Sequence, residues 1–231
     1  VQATYTWSHT IDNQSEPLAG DFFNLNFTSI QTSGGSLGRA TFSQQFDSQG
    51  DRGNSDFDQR HNLVLFGYWN LPYGFIASGL AAFRSGFPYN LQAPIAFGSV
   101  LNQRPDLVGS PGNPVPVAGG VRLFAPSAFA VPADDSLGTL GRNALTGPGL
   151  YNLDVSLARA FRIREGMHMT ARASAFNVLN HANLGNPATL LTDPNFGIAQ
   201  FGRQGFGTGF PAQSPLNESP RQLQLSLKFQ F

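Results

Sequence analysis

From Arg221 to the last residue the chain alternates, reading Arg-Gln-Leu-Gln-Leu-Ser-Leu-Lys-Phe-Gln-Phe. Leu223, Leu225, Leu227, Phe229 and Phe231 fall on one side, and Gln222, Gln224, Ser226, Lys228 and Gln230 on the other. Apolar residues at a spacing of two would scatter around a helix, but they line one face of a strand. The segment therefore reads as a β-strand with one apolar and one polar face. Such a strand is stable only where neighbours continue both faces.

The same pattern recurs upstream. In 151–158, Tyr151, Leu153, Val155 and Leu157 oppose Asn152, Asp154, Ser156 and Ala158. In 167–176, Met167, Met169, Ala171, Ala173 and Ala175 oppose His168, Thr170, Arg172 and Ser174. At the start, Val1, Ala3, Tyr5 and Trp7 oppose Gln2, Thr4, Thr6 and Ser8. The runs 61–71 and 74–84 are strand-like, but the facing of each is ambiguous.

The connections between these runs differ in kind. Pro72-Tyr73 and a turn around Arg162–Gly166 are tight. The stretches 9–60, 85–150 and 178–219 are long and rich in Gly, Pro, Asn and Ser, as surface loops are. Tight and long connections thus alternate strictly, as periplasmic turns and extracellular loops do in outer-membrane barrels. A soluble sandwich rarely carries structureless connections of such length. The expectation is an all-β, antiparallel, up-and-down transmembrane β-barrel segment of about six to eight strands with long extracellular loops. The last strand descends to the periplasm at Phe231. Residues 21–28 and 38–46 are weakly strand-like; they form either an extracellular protrusion or two further membrane strands. Six strands do not close a barrel in lipid, where known barrels begin at about eight. The segment is therefore expected to be part of a larger barrel. The chain also opens at Val1 directly into a strand-like run with no leader, which leads to the same expectation.

Composition narrows the function. Basic and acidic residues balance at 14 each, which removes the electrostatic case for nucleic acid. Charged residues make up 12%, about half of the usual share of roughly 25%, while Phe alone contributes 21 residues. The absence of Cys excludes disulfides and thiolate metal sites. No apolar run is long enough for a membrane-spanning helix.

No enzyme constellation stands out, and no cofactor or metal site is expected. His9, His61, His168 and His181 are scattered without metal-ligand spacing. His61 and His181 sit at strand ends, where they read as polar rings at a membrane boundary. Asp56-Phe57-Asp58 and Asp134-Asp135 lack the pattern of a calcium loop and read as solvated loop charges. Gly205-Phe206-Gly207-Thr208-Gly209 is followed by no helix pattern that could present a phosphate cradle. His168 and Ser174 share a face but lie about 20 Å apart along a strand. Trp7, Tyr68, Trp69, Tyr73 and Phe75 read as an interfacial girdle. Phe87, Phe196, Phe201, Phe206 and Phe210 lie in or beside long loops. They either line a substrate entrance or pack the loops together. Arg172 and Lys228 fall on the inner face, where a charge avoids the roughly 2–4 kcal/mol that lipid exposure at mid-depth costs.

Several stretches together resemble one family. They are Tyr5-Thr6-Trp7-Ser8-His9 with Ile11-Asp12-Asn13, Ser55-Asp56-Phe57-Asp58-Gln59-Arg60-His61 leading to Leu71-Pro72-Tyr73-Gly74, and Ser85-Gly86-Phe87-Pro88. Gly141-Arg142-Asn143-Ala144-Leu145-Thr146-Gly147-Pro148-Gly149 and Ala175-Phe176-Asn177-Val178-Leu179-Asn180-His181 complete the set. In this order they resemble the large TonB-dependent receptors of the Oar-like type, which carry a carboxypeptidase-regulatory-like N-terminal domain. The resemblance implies that residues 1–231 are the C-terminal part of a 22-stranded outer-membrane barrel whose plug and N-terminal domain precede Val1. It also implies active uptake of a substrate without covalent chemistry. Expected partners are outer-membrane lipid, a TonB-type energy-coupling protein acting through the N-terminal region, and the barrel-assembly machinery. Leu227, Phe229 and Phe231 resemble the signal that this machinery reads. Two other readings remain at this stage: a passive small barrel or adhesin, and a soluble carbohydrate-binding β-sandwich.

Overall fold

The computed structural model describes residues 1–13, 49–94, 103–133, 136–199 and 220–231. Its frame is one sheet of six strands: β1 (Gln2–Trp7), β2 (His61–Leu71), β3 (Phe75–Arg84), β4 (Leu150–Arg164), β5 (Met167–Phe176) and β6 (Gln222–Gln230). Each strand pairs antiparallel with the next in chain order, so the sheet is a simple meander. The strands lie where the alternation places them, with one difference. β4 runs on to Arg164, past a shift of register between Arg162 and Arg164, and the turn tightens to Glu165-Gly166. Gly166 makes that turn at a φ of 76°, which only glycine adopts without cost. The Pro72–Gly74 turn is more strained, because Tyr73 also takes a positive φ of 63°.

Register settles the facing of β2 and β3. Leu63, Leu65, Gly67, Trp69 and Leu71 pair with Phe83, Ala81, Gly79, Ala77 and Phe75. These pair in turn with Tyr151, Leu153, Val155, Leu157 and Arg159 of β4. The row continues through Ala175, Ala173 and Ala171 to Leu223, Leu225 and Leu227. One face is thus apolar from edge to edge apart from Arg159. The other carries Ser78, Ser156, Ser174 and Gln224 in a single cross-strand row that begins at Tyr68. Tyr68 therefore leaves the expected girdle: its neighbour Trp69 holds the apolar face, and alternation turns Tyr68 to the polar one. Arg172 and Lys228 lie on the polar face opposite Ser226 and Thr170, as the alternation requires. The sheet is open, with β1 and β6 as its edges.

Burial is inverted relative to a water-soluble domain. Large apolar residues of the sheet are exposed, with Leu223 at 80% and Leu225 at 83%. The aromatic core instead sits in the connections, where Tyr89, Leu91, Phe124, Phe129, Leu140 and Phe196 form one buried cluster. A continuous apolar face of this size demands an apolar environment. The connections are not structureless, as their composition suggests. Short paired strands brace them: Asp106–Leu107 with Phe129–Ala130, Leu145–Thr146 with Pro88–Tyr89, and Ile198–Ala199 with Gly120–Arg122. All three long connections leave from the same end of the sheet, and both tight turns lie at the other. The expected strand pair within 21–28 and 38–46 lies outside the described residues.

Candidate functional site

The segments quoted as motifs converge at the loop end of the sheet. Arg142 enters there with its side chain 6% exposed. Its Nη1 donates to Asp12 Oδ1 at 2.7 Å, to the Asp12 carbonyl at 3.0 Å and to the Asp51 carbonyl at 3.1 Å. Arg104 lies nearby, 3% exposed, and donates to Asp51 Oδ1 at 2.7 Å, to the Gly50 carbonyl and to the Leu140 carbonyl. Ser55 donates its hydroxyl to Asp12 Oδ2 at 2.7 Å. The first and second connections are thereby tied by buried, paired charges. Such pairs hold geometry more than they add net stability, because each ion is desolvated.

Asp58 forms a second knot and is only 2% exposed, so it is not the solvated loop charge that its context suggests. The Thr10 backbone N–H donates to Oδ1 at 2.9 Å, and Arg60 Nε donates to Oδ2 at 2.8 Å. His9 Nδ1 lies 3.1 Å from the same Oδ2. Burial pushes the Asp58 carboxyl up. The hydrogen bonds from Arg60, Thr10 and His9, with the Arg60 charge, more than offset this and hold it below its ordinary 3.8.

Two more knots use asparagine. The Asn177 N–H donates to Asp154 Oδ1 at 2.9 Å, while its side chain brackets the backbone of His181. Asn183 accepts from the Tyr151 N–H and donates to the Tyr151 carbonyl, so its amide continues the ladder of β4. Gly86 and Gly147, from two different motif segments, approach so closely that a Cβ on Gly86 would overlap the Gly147 carbonyl. The motifs thus describe how the loops are stapled. Sequence reasoning had no signal for Asp51 or Arg104, which belong to no motif and meet only in three dimensions.

The loop aromatics divide. Phe196 is 5% exposed and packs edge-on to Phe124 at 5.1 Å and to Phe129 at 6.0 Å. Phe87 is also buried, at 6%. Phe201, Phe206 and Phe210 lie outside the described residues, as do Asp134-Asp135 and the glycine run 205–209. Beside the aromatic cluster is a cleft of about 530 Å³, bordered by Tyr89, Phe124, Tyr151, His181 and several prolines. His181 meets Tyr151 edge-on at 5.1 Å, and burial raises the Tyr89 hydroxyl far above its ordinary range. The cleft offers aromatic and proline surface with few polar groups.

The polar face of the sheet forms a groove of about 580 Å³ lined by Tyr68, Asp154, Ser156, Arg172, Ser174 and Gln224. At its loop end, Arg84 Nε and Asn62 Oδ1 are buried register partners with no hydrogen-bond partner among the described residues. The groove's own lining, Tyr68, Asp154, Arg172 and Gln224 among it, can contact a passing polar solute. The larger hollow, about 800 Å³, lies on the apolar face over Gly67, Gly79, Ala77 and Ala173. It has almost no polar group to orient a ligand, so it suits acyl chains rather than a solute. Among the described residues no group of His, Asp and Glu could hold a metal ion.

A family model described as an outer membrane beta barrel domain matches residues 1–224. No curated protein and no solved structure matches the chain.

Proposed function

The chain belongs to the outer-membrane β-barrel domain family, and from that premise we propose that it is the C-terminal wall and loop cap of a TonB-dependent receptor for active uptake. The family places it in the outer membrane. The apolar face meets lipid, the polar face lines the lumen, and the long loops are extracellular. The observation that carries the finer reading is the stapled cap: the segments that resemble Oar-like receptors supply contacts that lock the loops together, such as Arg142 to Asp12, Ser55 to Asp12 and Arg60 to Asp58. Their polar work is spent on holding a binding surface in shape, and the lumen below it is lined with Ser, Gln, Asp and Arg. Substrate would be captured by the cap and cleft and pass along the polar face without covalent change. Energy would come from a TonB-type protein acting on the N-terminal region, and Leu227, Phe229 and Phe231 would be read by the assembly machinery.

The test compares culture media. Compounds depleted by wild-type cells but not by a strain lacking the full-length gene define the cargo. Deleting the energy-coupling protein should abolish the same depletion. If depletion continues without that protein, the barrel is a passive pore and the active-uptake reading fails.

A further inference from the structure

One charge sits within the apolar belt. Arg159 pairs with Phe75 on one side and Ala171 on the other, on the face that is otherwise apolar from β1 to β6. The only other charged strand residue that register puts on this face, among the described residues, is Arg164 at the hairpin tip. The Arg159 guanidinium lies 4.9 Å from the Phe75 ring centre and 4.8 Å from that of Phe161. It makes no hydrogen bond or ion pair with any described residue. Its depth is fixed by its partner: Phe75 is the first residue after the Pro72–Gly74 turn. Arg159 is therefore level with the periplasmic edge of β2 and β3.

We infer that Arg159, held between Phe75 and Phe161, binds the phosphate of a phospholipid in the periplasmic leaflet. At mid-membrane an arginine on this face is strongly disfavoured, but near the interface most of that cost disappears. That is the depth at which lipid phosphates lie. The guanidinium offers a planar fork that fits a phosphate with two parallel hydrogen bonds. The two rings engage it through their faces, which leaves its N–H groups for an acceptor that no described residue supplies. The acyl chains would run along the neighbouring apolar face.

The full-length protein, purified in mild detergent and stripped of lipid, is titrated with dioleoyl phosphatidylglycerol and followed by native mass spectrometry. Hydrogen bonds to a charged group set the expected loss on Arg159→Gln at about tenfold or more in affinity. Arg159→Lys should fall between, since it keeps the charge and loses the fork, and Arg164→Gln should bind as wild type does. Dioleoylglycerol, which lacks the phosphate, should bind no better to wild type than to Arg159→Gln. Should Arg159→Gln not assemble, Arg159→Lys carries the same comparison. Unchanged phosphatidylglycerol binding by the assembled Arg159 variants overturns the proposal. So does displacement of the lipid by equimolar inorganic phosphate, which would make this a site for the free anion.

Discussion

At the scale of single residues, the informative groups are those whose charge is buried. Arg104 gives its guanidinium to Asp51 and to two carbonyls in a setting that excludes water. Replacing it with Ala removes the cation from the buried Asp51 carboxylate, and breaking a buried pair from one side costs about 3–5 kcal/mol. Because the pair lies in the cap and not in the sheet, the loss should appear as faster protease cleavage of the first two connections, while the barrel itself stays folded. Asp58 makes a pH prediction of definite sign. Its folded-state pKa lies below the ordinary 3.8, so the unfolded cap takes up the proton first as pH falls. The stability that Asp58 contributes is complete above that value and is lost as pH drops through the folded pKa. Hydrogen exchange at the Thr10 amide, which Asp58 accepts, should therefore speed up on acidification relative to Asp58→Asn, measured at the same pH. A constant ratio between the two proteins would show that Asp58 does not hold this corner.

At the scale of elements, the two faces of a strand make opposite predictions for adjacent residues. Leu225 pairs with Ala173 on the lipid face, and Ser226 pairs with Arg172 on the lumen face. Leu225→Arg should cost roughly 2–4 kcal/mol and deplete the heat-modifiable folded form on gels. Ser226→Arg should assemble to near wild-type levels, although it places a second charge beside Arg172. The reverse ranking would mean that the faces are exchanged. This facing was legible in the sequence for β6, β5 and most of β4, where alternation is clean. It was not legible for β2 and β3, because Val64, Phe66, Ile76 and Leu80 put apolar residues on the lumen side as well; only pairing to β4 resolves them. Arg159 was missed for a related reason. The clean alternation of 151–158 breaks into Ala-Arg-Ala and stops just short of the arginine, so no facing is read for it, whereas the strand runs on to Arg164. The cap was legible only as motifs. The contacts that make it, such as Arg142 to Asp12, join residues 130 apart in sequence, and no local pattern encodes them.

At the scale of the whole molecule, direction and closure are linked. β2 has 11 residues, which at about 3.3 Å each and a tilt near 45° cross roughly 25 Å, the height of an apolar belt. Aromatic residues mark both ends of it, with Tyr5, Trp7 and Tyr151 toward the loops and Trp69, Phe75, Phe161 and Phe229 toward the turns. The edges β1 and β6 would each leave unpaired backbone groups in lipid at several kcal/mol apiece. A membrane sheet of this kind must therefore meet further strands, as the larger barrel proposed above provides. Direction can be tested directly because the chain has no cysteine of its own. Asn113→Cys places a thiol in an exposed part of the second long connection, and Glu165→Cys places one in the tight turn between β4 and β5. In the full-length protein, with any cysteines elsewhere replaced, a membrane-impermeant maleimide applied to intact cells should label the Asn113 variant. It should reach the Glu165 variant only after the outer membrane is opened. Labelling of the Glu165 variant in intact cells, with the Asn113 variant protected, would invert the sheet. Phe231 would then lie at the cell surface, and the stapled loops could not capture a substrate from outside.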